Sequence, residues 1–244
     1  MFDDLDLTGY YGTTDGAAVT PVEVAVVGDS SCTGPGLDHA RDVFIAQAAA
    51  RVEVPLHLTQ FAVGGSRIGD VLMQQLPAVL DAQPAVAVIS IGANDAIHST
   101  PLARFERDLR AVVGALDRAG IETVVCGLID LSLIPRIPTV LKPMLGLRGL
   151  AYERRKARAT HPAARAVRAG ADRLINETFR ARGEALFTAD RFHPNAAGHT
   201  VLADGLVPHL TAAVDRAMLS RCQTPCSTNA TVMSPLSRIT ALTR

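Results

Sequence analysis

The run Val22-Glu23-Val24-Ala25-Val26-Val27-Gly28-Asp29-Ser30-Ser31 decides the reading of this chain. Its first part is short, apolar and β-branched, which reads as a buried strand of a parallel sheet. It ends in Gly-Asp-Ser, a tight turn that leaves a serine at the carboxyl edge of the sheet. Open α/β sheets place their ligands at that edge. A serine hydroxyl is a weak nucleophile, so it carries chemistry there only if a base and an oxyanion site exist elsewhere.

Working outward, the chain alternates strands with helices. Residues 55–63 read as a second strand ending in Gly64-Gly65. Residues 85–91 read as an uninterrupted apolar third, 121–128 as a fourth and 185–188 as a short fifth. Helices are expected over 38–51, 70–80, 102–119 (closed by Gly120), 151–182 and 196–218. This order predicts an α/β fold, a three-layer α/β/α sandwich on a flavodoxin-like five-stranded parallel sheet. Residues 1–20 read as an irregular lead-in and 21–218 as one domain. The Ser/Thr/Pro-rich stretch 219–244 reads as a disordered tail.

Composition narrows the class. A chain of 244 residues with 48% hydrophobic content can bury a full core. Lys+Arg and Asp+Glu both number 24, so bulk charge gives no argument for nucleic acid. No uncharged apolar run reaches ~18 residues, and the acidic start lacks the pattern of a secretory leader. Cys32 and Cys126 fall in core segments, while Cys222 and Cys226 have no second pair to complete a zinc site. A reducing, cytoplasmic setting is therefore expected. The histidines show no shared metal spacing, so neither metal nor cofactor is expected. Oligomeric state stays open.

The candidate base is His193. Asp190 lies three residues before it, close enough for one loop to bring its carboxylate to the ring's other nitrogen. Pro194 biases His193 toward extended backbone, and Asn195 is placed to cap the last helix. A neutral NH₂ from Asn94, after the third strand, suits an oxyanion without competing for the histidine's proton. Gly65 would let the backbone approach a substrate closely.

Four blocks, in order and each at a predicted strand end, resemble those of the SGNH hydrolases, the GDSL lipase/esterase family. They are Gly28-Asp29-Ser30; Val63-Gly64-Gly65-Ser66 followed by Asp70-Val71-Leu72; Gly92-Ala93-Asn94-Asp95; and Asp190-Arg191-Phe192-His193-Pro194. The likeness spans residues 22–214. It implies Ser30 as nucleophile, directly after Gly-Asp, with Ser31 as its rival. It implies His193 as base and Asp190 as its acid. The oxyanion donors would be the N–H groups of Ser30 and Gly65 and the amide of Asn94. The family often has Asn where Gln60 stands and Ser where Gly64 stands. No Gly-x-Ser-x-Gly elbow surrounds Ser30, which separates the chain from the α/β-hydrolases.

The expected function is a serine esterase acting on a small-molecule acyl ester through an acyl-enzyme. A thioesterase or acyltransferase on an acylated carrier or sugar would share that intermediate. The reading from another class, a non-catalytic flavodoxin-like binding module, has no need of Ser30, Gly65, Asn94, Asp190 and His193 together. Residues 131–150 are apolar, interrupted by Pro135, Pro138 and Pro143, and leave the same sheet edge as Ser30. They are expected to roof a pocket for a short or medium acyl chain, with Met144 and Leu145 in its lining. The cations between Arg148 and Arg173 are countered only by Glu153 and Asp172. They form either a solvated face or a docking surface for an anionic group such as a lipid headgroup.

Overall fold

The computed structural model describes residues 4–12, 20–169 and 173–223. Among them a six-stranded sheet is formed by β1 (Gly9–Tyr11), β2 (Val22–Gly28), β3 (Leu56–Gln60), β4 (Val86–Ser90), β5 (Glu122–Cys126) and β6 (Ala166–Ala169). Their spatial order is β1-β3-β2-β4-β5-β6. From β2 to β6 all neighbours are parallel, whereas β1 runs antiparallel on the outer edge of β3. The deciding stretch thus sits near the middle of the sheet, where a near-continuous apolar run belongs.

Alternation along the strands sorts the side chains into two cores. Val24, Val26, Val86, Val88 and Val124 face one side, packed with α2 (after the short α1, Ser30–Thr33; α2 is Phe44–Ala49) and with the last helix. Ala25, Val27, Ala87, Ile89 and Val125 face the other. That side is covered by α3 (Ile68–Asp70) and α4 (Leu76–Ala82), joined by a π-helical turn at Val71–Gln75. After α5 (Ala93–Ile97) come α6 (Leu102–Arg118) and α7 (Lys142–Thr160), which complete the layer together with α8 (Arg173–Arg182). The last helix is α9 (Ala196–Gln223). Three layers result, as the alternation requires. Gly120, past the end of α6, takes the left-handed conformation (φ 77°) expected of a helix stop.

Two strands correct the reading. Residues 166–169, expected within a long helix, are the edge strand β6, paired with β5 through Thr123 opposite Ala166 and Cys126 opposite Ala169. Residues 185–188 are not a fifth strand. Gly183–Leu186 is a 3₁₀ turn, and Phe187 makes a single antiparallel bridge to Pro194. The lead-in contributes β1, so the sheet has six strands rather than five. The apolar connection 131–150 is part 3₁₀ turn (Leu131–Leu133 and Thr139–Leu141) and part α7, whose first turn accommodates Pro143. Residues 219–223 continue α9; the rest of the expected tail lies outside the described residues.

Candidate active site

The turn that carries Ser30 is fixed from below. Gly28 ends β2 with φ 142°, and a Cβ there would lie 1.8 Å from the carbonyl oxygen of Ser90. Only glycine allows β2 and β4 to approach so closely. Both backbone groups of Gly28 are held by one side chain. Its N–H donates to Gln75 Oε1 (2.8 Å), and its carbonyl accepts from Gln75 Nε2 (2.9 Å). Gln75 is delivered by the π-helical turn, a device that often re-aims a side chain at functional sites. The Asp29 N–H donates to Ser90 O (3.1 Å), and the Asp29 carboxylate caps α1 by accepting from Ser31 N–H (3.0 Å). Burial pushes the Asp29 pKa up, against those hydrogen bonds and the nearby Lys156. Asp29 is a turn residue.

Ser30 and Ser31 then diverge. Ser31 Oγ shares a 2.7 Å hydrogen bond with Ser90 Oγ. Ser30 Oγ lies 3.1 Å from His193 Nε2. The other ring nitrogen, Nδ1, is 2.7 Å from Asp190 Oδ2. The loop carrying both is tied at its base by Thr188 N–H to His193 O and Asn195 N–H to Leu186 O. Asn195 accepts from Gly198 N–H (3.0 Å), the N-cap geometry of α9. Burial alone would raise the Asp190 pKa. Hydrogen bonds from Thr188 Oγ1, the His193 ring and the N–H groups of His193 and Phe192 outweigh it and hold the carboxyl down to about 2. Asp190 is therefore an anion fixed on the imidazole.

The glycine block runs beside this turn, with Val63 N–H donating to Gly28 O (3.2 Å). Gly65 has φ 80°, and a Cβ there would meet no protein atom within 4 Å. Asn94, in the first turn of α5, donates from Nδ2 to Ser66 O (3.1 Å), so the two loops are stitched together. The N–H groups of Ser30 and Gly65 have no protein acceptor among the described residues. Asp95 is fully buried, accepts from Ile68 N–H (3.0 Å) and is pushed up in pKa by that burial. It is a structural neighbour of Asn94.

A cavity of ≈ 110 Å³ opens beside Ser30 and His193, lined by Ile91, Leu128, Leu131, Ile134, Ile175 and Leu206 among others. Leu131 and Ile134 come from the connection expected to form a roof. Leu145 lies instead along a shallow groove with Ile137, Leu141, Phe192 and His193. Met144 lines neither and faces outward.

Two residues of the site region escaped sequence reading. Gln75 sits in an amphipathic helix pattern, where nothing marks it as a backbone clamp. Asp4, in the lead-in, accepts from Gly64 N–H (3.0 Å) and from Thr33 Oγ1 (2.6 Å), joining the glycine block to α1. Among the described residues no group of three or more His, Cys, Asp or Glu could hold a metal.

A family model described as the GDSL-like lipase/acylhydrolase family matches residues 26–201, a stretch that contains all four blocks. The chain belongs to this family. The GDSL-like esterase Rv1075c of Mycobacterium tuberculosis is 30% identical over 191 residues, covering 75% of this chain. The chain spans 60% of the length of that curated relative. Among solved structures, TesA aligns with a TM-score of 0.62 at 20% identity, over 78% of this chain and 99% of its own. Axe2, an acetyl-xylooligosaccharide esterase from Geobacillus, aligns with a TM-score of 0.62 at 18% identity, over 78% and 94%. The esterase EstA from Pseudoalteromonas aligns with a TM-score of 0.58 at 16% identity, over 79% and 98%. At these identities the structural likeness speaks to the fold, and this GDSL-family chain shares it.

Proposed function

We propose that this chain is a serine esterase that cleaves carboxylic esters of a short or medium acyl chain. The observation that carries the reading is the continuous relay Asp190–His193–Ser30, with links of 2.7 and 3.1 Å, opening on an apolar cavity. Ser30 Oγ attacks the ester carbonyl while His193 Nε2 takes its proton. Asp190 holds the Nδ1–H tautomer and stabilises the imidazolium. The N–H groups of Ser30 and Gly65 and the free N–H of the Asn94 amide receive the oxyanion. Collapse of the tetrahedral adduct breaks the ester C–O bond, and His193 returns the proton to the departing alcohol. A water molecule, deprotonated by His193, then attacks the acyl-Ser30, and collapse releases the acid and restores the hydroxyl.

The acyl chain extends into the cavity beside Ser30, where each buried CH₂ contributes up to ~0.8 kcal/mol. Labelling of the purified protein with a fluorophosphonate tests the reading. Ser30→Ala is expected to abolish labelling and turnover with the fold intact, and Ser31→Ala to keep most of both. Labelling that survives Ser30→Ala but not Ser31→Ala would move the nucleophile. A parent chain that does not label would be a binding module.

A further inference from the structure

Helix α7 buries a stripe formed by Leu145, Gly149, Tyr152 and Lys156, spaced four, three and four residues apart. The opposite face of a surface helix is normally polar. Here it is apolar over its first half: Met144 is 49% exposed, Leu147 72% and Leu150 49%. Val140, in the turn before the helix, is 85% exposed, and Leu141 is 42% exposed. Farther along the same face come Arg154 and Arg158, both exposed, and Arg136 is exposed on the near side of the turn. None of these three guanidinium groups makes an ion pair with a described residue. The described acids nearby are already engaged: Asp130 with Arg180, Glu153 with Lys156 and Arg168, and Glu106 with Arg110 and Arg155.

An apolar patch rimmed by uncompensated cations fits one class of partner. We infer that the outward face of α7, with the turn before it, is a docking surface for an anionic phospholipid bilayer. Side chains such as Val140, Met144 and Leu147 would enter the headgroup boundary, and Arg136, Arg154 and Arg158 would meet lipid phosphates. Among the described residues no helix is long and apolar enough to cross a membrane, and the proposed contact is made by the outward face of α7. A second copy of the chain fits less well. A two-fold interface brings a patch against itself, and here that would oppose arginine to arginine with no free acid between them among the described residues. The groove formed by Arg136, Ile137, Pro138, Leu141, Leu145, Phe192 and His193 joins the patch to the catalytic histidine. Docking therefore turns the mouth of the site toward esters held in the bilayer, a consequence that rests on the esterase reading. The docking itself does not.

Flotation of the full chain with vesicles of phosphatidylcholine alone, or with phosphatidylglycerol mixed in, tests the inference. Binding is expected only to the mixed vesicles and is released by added salt. Each cation removed should weaken it roughly fivefold, so the double variant Arg154→Glu/Arg158→Glu is expected to lose at least about 25-fold. Val140→Ser/Leu147→Ser should also release the protein, while hydrolysis of a water-soluble short ester stays unchanged in both variants. Ser30→Ala should bind like the parent chain, which separates failure of docking from failure of the esterase reading. Absence of binding at low salt, or equal binding to neutral vesicles, overturns the inference. So does a concentration-dependent dimer in sedimentation that Leu147→Ser dissociates, since the patch would then belong to a second copy.

Discussion

Gly64 stands where the family often has serine, and its reason lies 60 positions upstream. A Cβ at 64 would sit 2.7 Å from Asp4 Oδ1, in the space that carboxylate needs to accept the Gly64 N–H. Gly64→Ala and Asp4→Ala should thus break the same tie, each costing about 1–2 kcal/mol. Urea unfolding of the singles and the double is expected to show losses well short of additive; additive losses would mean the contact is incidental. At Asn94, loss of the amide would remove one of the proposed oxyanion donors. Asn94→Ala is expected to lower kcat by roughly 100- to 1000-fold with much less change in KM. An effect confined to KM would make Asn94 a ground-state binding group instead.

Among the elements, the connection after β5 supplies the cavity wall through its first 3₁₀ turn rather than through the start of α7. Ile134→Ala should enlarge the cavity and shift the acyl-chain optimum of kcat/KM to longer esters, whereas Met144→Ala should leave it in place. An optimum that responds to Met144 and not to Ile134 would return the roof to the helix. The same region shows where sequence stops being legible. Val22–Gly28 and Val86–Ser90 announce themselves because strands buried on both faces must be apolar throughout. β6 has no such need. It is a four-residue edge strand whose Arg168 reaches out to Glu153 (2.5 Å), so its sequence blends into the arginine-rich helices around it. Residues 185–188 misled for the opposite reason. Leu186 and Phe187 are apolar because they fill the core under the histidine loop, not because they pair in the sheet. That Ser30, Asp190 and His193 come together was legible, since a hydroxyl–imidazole–carboxylate relay admits few residue types. The clamp by Gln75 was not, since a backbone tether can come from any long amide within reach.

Across the whole molecule, pH reports on the packing of α9 against α2. His199 is buried between them, accepts the Phe44 N–H at Nδ1 (3.1 Å) and stacks on the Phe44 ring. Burial, aided by the neighbouring His193, lowers its pKa from 6.5 to about 3. Between those two values the unfolded chain binds a proton that the folded chain refuses, so stability falls as pH drops from about 6.5 toward 3. The cost is on the order of 1.4 kcal/mol per unit of difference. His199→Gln keeps an acceptor for Phe44 and carries no titrating ring. Its Tm should therefore fall less steeply than the parent's over that interval. Parallel curves for the two proteins would place the acid-sensitive group elsewhere. Between pH 3.8 and about 2 a second loss follows, because the unfolded chain protonates Asp190 while the fold holds it ionised.

The Gln75 clamp also sets a timetable for exchange with solvent. The amide hydrogens of Gly28 and Asp29 are bonded to Gln75 and Ser90, both buried between the sheet and its helices. Those of Ser30, the next residue, and of Gly65, in the neighbouring glycine block, have no protein acceptor among the described residues. In deuterium oxide the first pair should open only when the core does, while the second pair exchanges within the earliest time points. The boundary between slow and fast protons would then run through a single peptide unit, between Asp29 and Ser30. Attack on substrate would start from a hydroxyl whose anchor moves no more than the sheet itself.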